Sequence, residues 1–431
     1  MNASETVDAK PPHESFGARF FAALQYPDFR KLWFANGAAQ AAAWALIVTR
    51  GWLVFEKTHS SFWVGAVTFA AMAPQFLVPP IVGVLADRID RRTVLSWTYA
   101  LNLAHNAVLL CLAIFGGLDI WVLVALSLVN GTARAAQLPT SQALAASLVP
   151  REHLLNALSL NASTQHGSRL IGPGIVTPLL SILGAPAAFL MCTVFYGLGL
   201  LQILKLPRRE PDASVRQESI LANFRGGLTY VYVRPLLRFV IMLAIMHCAL
   251  TMAFESLLPS FSHERLTDSS TGFGTLLIGV GAGSLISSIL VSGIRTPSGR
   301  GNTLFMMGVM SGVGQVVLSL SSSLTFAFFA AALMGGAQAA FMTMAQATTQ
   351  SMAADEFRGR VASINTFSLG GAMAIMNLTN GTLASYIGAH NILMIQGIVF
   401  AAIVFLGLLV VSGRHAYGRG LSLEQPQAQP A

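Results

Sequence analysis

Gly83-Val84-Leu85-Ala86-Asp87-Arg88-Ile89-Asp90-Arg91-Arg92, with Leu95 just beyond, lies between two long apolar runs and decides how this chain must fold. A run of about twenty apolar residues is a membrane thickness of helix. Three arginines and two aspartates in so short a turn cannot reside in hydrocarbon, so they lie in water or among headgroups. An arginine cluster of this kind favours the cytoplasmic side. Gly83 permits close helix approach, and Asp87 is placed to accept backbone N–H groups from a helix N-terminus, where the dipole favours an anion.

Composition agrees with that placement. Of 431 residues, 54% are hydrophobic and 10% charged, and the mean hydropathy is +0.62. A soluble domain carries about a quarter charged residues, so the chain reads as a polytopic membrane protein. Cys111, Cys192 and Cys248 all fall inside apolar runs, which excludes a disulfide framework and a C-x-x-C metal motif. The isoelectric point near 9.8 comes from basic residues scattered over turns, a membrane-topology signal and not a nucleic-acid surface. Met1 to His13 is polar and holds Glu5 and Lys10, unlike a signal peptide.

Outward from the opening turn, apolar runs alternate with polar turns. Spans are expected at Leu32–Phe55, Phe62–Ala86, Val94–Phe115, Ile120–Leu148, Ala157–Leu183 and Ala187–Leu206. Six more follow at Leu236–Leu258, Gly272–Ile294, Thr303–Leu320, Leu324–Ser351, Val361–Ile387 and Ile392–Ser412. Pro74, Pro79 and Pro80 bend or break the second span. The expected organisation is a cytoplasmic segment 1–31, a six-helix bundle 32–206, a cytoplasmic linker 207–234 with an amphipathic helix from Ile220, a second six-helix bundle 235–412 and a cytoplasmic tail 413–431. With both termini and the linker on one side, 21 of the 26 lysines and arginines share that side. The other side keeps only Lys57 and Arg265, so both termini are expected in the cytoplasm.

The halves repeat weakly. Pro150-Arg151-Glu152…Asn156 corresponds to Ala354-Asp355-Glu356…Arg360 at an offset of 204 residues. The opening turn resembles the loop signature G-x-L-A-D-R-x-G-R-R/K-x-x-L of the major facilitator superfamily; Asp90 stands where that family usually has glycine. Within it, the chain resembles the bacterial branch of siderophore exporters and macrolide efflux pumps. That resemblance rests on Phe29-Arg30-Lys31-Leu32-Trp33, Gly51 to Glu56, Asn156 to Pro173 and Asp355-Glu356-Phe357-Arg358-Gly359-Arg360-Val361. It implies an all-α fold of 12 transmembrane helices in two pseudo-symmetric bundles, with a substrate site between them at the midplane. It also implies that Gly83, Asp87, Arg88, Arg91 and Arg92 form a conformational lock on the cytoplasmic side. Ala43 precedes Trp44 where relatives often carry Asp or Thr, and the antiporter glycine pattern of span 5 survives only as Gly172-Pro173-Gly174.

Charges inside spans cost at least ~2.5–3.5 kcal/mol and mark cavities or pairs. Arg134 and Arg169 fall near the middle of spans 4 and 5, with no Asp or Glu at comparable depth in the map. Arg134-Ala135-Ala136-Gln137 resembles the family's R-x-x-Q element. Two readings stand: the arginines hold an anionic substrate group by bidentate hydrogen bonds, or they brace carbonyls freed near Pro139 and Pro173. Arg50 in span 1 and Glu255 in span 7 lie 205 residues apart, close to the repeat offset. An ion pair between them would close the cavity to the outside and open on protonation; alternatively Arg50 snorkels outward and Glu255 is solvated. Trp44, mid-span among alanines, is a candidate cavity wall.

Other signals read as packing. His105, His166 and His247 are expected to be hydrogen-bonded core histidines. Met242, Met246 and Met252 are expected to pack, with a pliable ligand wall as the alternative. Gly279-Val280-Gly281-Ala282-Gly283 suits close helix approach, not phosphate. His263-Glu264 lacks the second His of a zinc-protease motif, and no G-x-x-x-x-G-K-S/T is present, so neither an enzyme nor an ATP-driven pump is indicated. The expectation is a monomeric inner-membrane secondary transporter without cofactor or metal, whose partners are a small molecule, protons and lipid, with no nucleic acid. It exports an amphipathic, anionic compound against protons; the alternative is an importer or facilitator of an anionic metabolite.

Overall fold

The computed structural model describes residues 22–78, 89–208, 220–266, 270–291, 293–294 and 296–418, and these are helices and turns without a strand. Span 1 is Pro27–Thr58, span 2 Ser61–Leu77 as far as described, span 3 Arg91–Phe115 and span 4 Ile120–Leu148. A helical stretch Leu154–Leu204 is divided at Gly184 into spans 5 and 6. Span 7 opens with Pro235–His247; spans 8 to 12 are Ser270–Val291, Pro297–Ser319, Leu324–Met352, Arg358–Ile387 and Ala389–Leu406. An even number of crossings puts the start of span 1, the helix Ile220–Tyr232 and the end of span 12 on one face, called here the terminal face.

Local chemistry repeats between the halves as the sequence offset requires. Arg151–His153 and Asp355–Phe357 are each one turn of 3-10 helix, leading into spans 5 and 11. Gly184 (φ 74°) and Gly388 (φ 82°), 204 residues apart, supply the left-handed backbone that ends spans 5 and 11. Asp119 and Ser323, again 204 apart, cap the N-termini of spans 4 and 10 by accepting from Trp121 N and Phe326 N.

Within the first bundle span 1 packs on spans 5 and 6, span 3 on span 6, and spans 2 and 3 on span 4; within the second, span 10 packs on spans 8 and 9, and span 9 on span 12. The bundles meet along span 2 against span 11 and span 5 against span 8. Small residues permit the contact. A Cβ on Gly65 would stand 2.7 Å from the Asn377 carbonyl oxygen, and one on Gly281 would strike the Arg169 carbonyl. Gly279, Gly281 and Gly283 each meet the backbone of a neighbouring helix, as the close-packing reading expected. The linker helix Ile220–Tyr232 lies on span 11, where Gly226 and Gly227 approach Arg360 and Ile364. From it a line of rings crosses between bundles: Phe224 to Phe367 at 5.3 Å and Phe367 to Phe76 at 5.7 Å.

Candidate functional site

The site is organised by a break in span 7. Helix Pro235–His247 passes into a single π-turn, Cys248–Met252, then into irregular turns, and resumes only at Leu258–Arg265. Neither proline nor glycine occurs between Cys248 and Leu257; the amides of other spans account for the break. Gln315 Nε2 donates to the Leu250 carbonyl (3.1 Å), Gln338 Nε2 to that of Thr251 (2.6 Å) and Asn380 Nδ2 to that of Ala253 (2.7 Å). Ser256 N–H donates to Asn377 Oδ1 at 3.1 Å, and Gln396 Nε2 steadies Asn380 at 2.6 Å. Irregular backbone at membrane depth persists only where neighbours satisfy it in this way. Hydropathy gave no role to these four amides of spans 9, 10 and 11; their burial in apolar helices was the available signal.

The break carries Glu255, 6% exposed, to the boundary between bundles. Three guanidinium groups of the first bundle, Arg50, Arg134 and Arg169, are near enough to act on it electrostatically. This corrects the expectation that no acidic group lies at the depth of Arg134 and Arg169. Arg50 and Glu255 line one small pocket walled by Val54, Val64 and Val67, yet no direct ion pair joins them among the described residues. Arg50 turns instead to span 4, where its Nη1 donates to Ser127 Oγ at 3.1 Å. The pairing that residue spacing suggested is therefore replaced by a looser electrostatic neighbourhood that three arginines share.

Arg169 stacks over the Trp44 ring at 4.6 Å, and its Nε is buried without a hydrogen-bond partner among the described residues. Gly172 makes this possible: any side chain there would strike the Ala41 carbonyl and hold span 5 away from Trp44. Gln137, one turn from half-buried Arg134, accepts from Asn102 Nδ2 at 3.4 Å, and Asn102 Oδ1 accepts from Asn130 at 2.8 Å. His247 is packed as expected, its Nε2 3.1 Å from Ser311 Oγ and its ring against Phe341 and Phe400. His105, by contrast, is buried near Arg50 with neither ring nitrogen partnered among the described residues.

Away from the terminal face the bundles are sealed over this cluster. Ser61 Oγ donates to Ser260 Oγ at 2.7 Å, and the rings of Phe55 and His59 lie 5.4 and 6.2 Å from that of His263. On the terminal face, Gly83, Asp87 and Arg88 lie outside the described residues. Arg91 Nη1 donates to the Ala143 carbonyl of span 4 at 3.3 Å, and Arg92 donates from Nε to the Ile203 carbonyl at 3.4 Å and from Nη2 to that of Leu204, at the C-terminus of span 6. Both contacts stay within the first bundle. Asp90 caps span 3, accepting from Arg92 N at 3.3 Å and Thr93 Oγ1 at 3.1 Å.

The sequence profile of a family described as transmembrane secretion effector, within the major facilitator superfamily, matches residues 18–415. The chain belongs to this family. Proteins similar to it include the multidrug efflux pump Tap of Mycolicibacterium fortuitum, 24% identical over 83% of this chain and 89% of that protein. Macrolide efflux protein A of Streptococcus pyogenes is 20% identical over 88% of this chain and 94% of its own length. The staphyloferrin A transporter of Staphylococcus aureus is 23% identical over 63% and 68%. Among solved structures, a nucleoside transporter superposes with a TM-score of 0.71 over 88% of this chain and 99% of that one at 12% identity, and a POT family transporter with 0.68 over 88% and 95% at 13%. The facilitator fold of twelve spans is thus shared, and the family places the chain among multi-pass membrane transporters of small molecules, not enzymes.

Proposed function

We propose that this protein exports an amphipathic, anionic small molecule across the bacterial inner membrane by alternating access, as a monomer exchanging substrate for protons, with both termini in the cytoplasm. The observation that carries this reading is the surplus of positive charge at the bundle boundary, where Arg50, Arg134 and Arg169 surround one carboxylate among the described residues, that of Glu255. Buried charge of one sign without its balance is a site for the opposite sign. Arg134 and Arg169 hold the anionic group by bidentate bonds, Trp44 offers a ring face to the apolar part, and Gln137 hydrogen-bonds a polar substituent. The efflux relatives support the direction.

Glu255 belongs to the second bundle and the arginines to the first, so their attraction helps hold the bundles together on the sealed side. When that side opens, the carboxylate separates from the arginines and takes a proton from outside; when it closes, the arginines drive the proton off toward the cytoplasm. Arg91 and Arg92 brace the first bundle as a rigid body on the cytoplasmic side. Inverted membrane vesicles test the substrate class. A fluorescent amphiphilic carboxylate should accumulate in the lumen, and Arg169→Gln should cut that uptake at least tenfold. Equal uptake of the carboxylate by both proteins, or its net movement out of the lumen, contradicts the reading; the second result favours an importer.

A further inference from the structure

The π-turn of span 7 begins at Cys248 and ends at Met252, and those two residues place their sulfur atoms together. Cys248 Sγ lies 3.9 Å from Met252 Sδ and, across the helix interface, 4.0 Å from Met342 Sδ of span 10. Four-residue spacing sets the first two side chains on one face, and span 10 supplies the third from outside that helix. π-turns recur at functional sites because they re-aim side chains at a cost in backbone geometry.

The donor set is uniformly soft. His247, the adjacent imidazole, is turned away to Ser311 between Phe341 and Phe400. No group of three or more His, Cys, Asp or Glu that could hold a metal occurs among the described residues, so nothing in the surroundings suits a hard or borderline ion. The other cysteines differ: Cys192 donates to the Ala42 carbonyl at 3.5 Å, and Cys111 is exposed. Cys248 is 3% exposed while Met252 and Met342 are half-buried, so the thioethers form the approach and the thiol the floor.

We propose that Cys248, Met252 and Met342 form a three-sulfur binding site for a soft monovalent cation, Cu(I) or Ag(I). Thiolate and thioether ligands select such ions over the hard divalent ones. Metal–thiolate bonds of about 2.3 Å place the sulfurs of a trigonal site about 4 Å apart, the separation seen from Cys248 to each methionine. Binding converts the thiol to a thiolate, so one proton leaves as the metal–sulfur bond forms and no electron is transferred. The bound ion would tie the break in span 7 to span 10. This site is separate from the arginine cluster, and it stands or falls independently of the anion-export reading.

The test is titration of the purified full-length protein in detergent with Cu(I), under anaerobic reducing conditions, against a chromophoric Cu(I) chelator. One ion per chain is expected. Cys248→Ser should abolish binding, and Met342→Leu should weaken it by about tenfold or more, the scale on which even outer-shell partners act. A Cys111→Ser/Cys192→Ser double variant should bind as the wild type does. X-ray absorption of the loaded wild-type protein should show sulfur neighbours alone, a readout that needs no variant to fold. Absence of binding, full binding by Cys248→Ser, or a nitrogen and oxygen ligand shell would each overturn the proposal.

Discussion

Arg169 is the residue that most changes how the site is understood. Spacing along the chain paired Arg50 with Glu255, since the two sit at matching places in the repeat. What spacing cannot register is the direction of a side chain: Arg50 points across to Ser127, while Arg169 lies over the Trp44 ring with its Nε unpartnered among the described residues. Arg169→Gln should therefore lower transport more than Arg50→Gln does, measured as vesicle uptake at equal membrane insertion. Equal or reversed losses would return Arg50 to the leading place. Asp90 offers a stability test. It replaces the glycine usual in the opening signature, and the structure shows it as the cap of span 3. Asp90→Ala should lower stability by about 1 kcal/mol, whereas Asp90→Gly should cost only a few tenths, read by thermal unfolding in detergent. Identical losses for both would remove the capping role.

At the scale of elements, hydropathy and turn chemistry were enough to place the spans: the expected limits of spans 3 and 4, Val94–Phe115 and Ile120–Leu148, meet helices Arg91–Phe115 and Ile120–Leu148. Span 7 was not legible. Its sequence between Cys248 and Leu257 has neither proline nor glycine to mark a break, and what opens it is a set of amides well removed along the chain. A local pattern carries no record of partners that arrive only when spans 9, 10 and 11 have packed. Gln338→Leu removes the donor to the Thr251 carbonyl and leaves that group unpartnered, a loss of about 1–3 kcal/mol. Faster amide exchange confined to residues 248–257 and their neighbours is expected by mass spectrometry. Unchanged exchange there would mean that the break is sustained by other contacts.

For the whole molecule, the repeat along the sequence marks the two halves, and the 3-10 turns before spans 5 and 11 and the glycines at 184 and 388 fall on the same 204-residue offset. The close approach between bundles was harder to see, because a glycine in a membrane helix does not name its partner. Gly65 meets span 11 near the sealed side, so Gly65→Leu should force spans 2 and 11 apart and favour the state open to the outside. A single cysteine at position 61, beside the Ser61–Ser260 contact, should then react faster with an impermeant thiol reagent applied from outside. An unchanged rate would show that this crossing does not govern the seal.

We propose that Glu255, held by the broken span 7 near three arginines, moves a proton as the seal opens and closes. Inverted vesicles with an acidified lumen test it most directly, comparing the wild type with Glu255→Gln for uptake of the anionic amphiphile. The imposed gradient should accelerate uptake by the wild type and have no effect on Glu255→Gln, whose basal exchange persists. A wild type indifferent to the gradient, or a Glu255→Gln protein that follows it equally well, would contradict it.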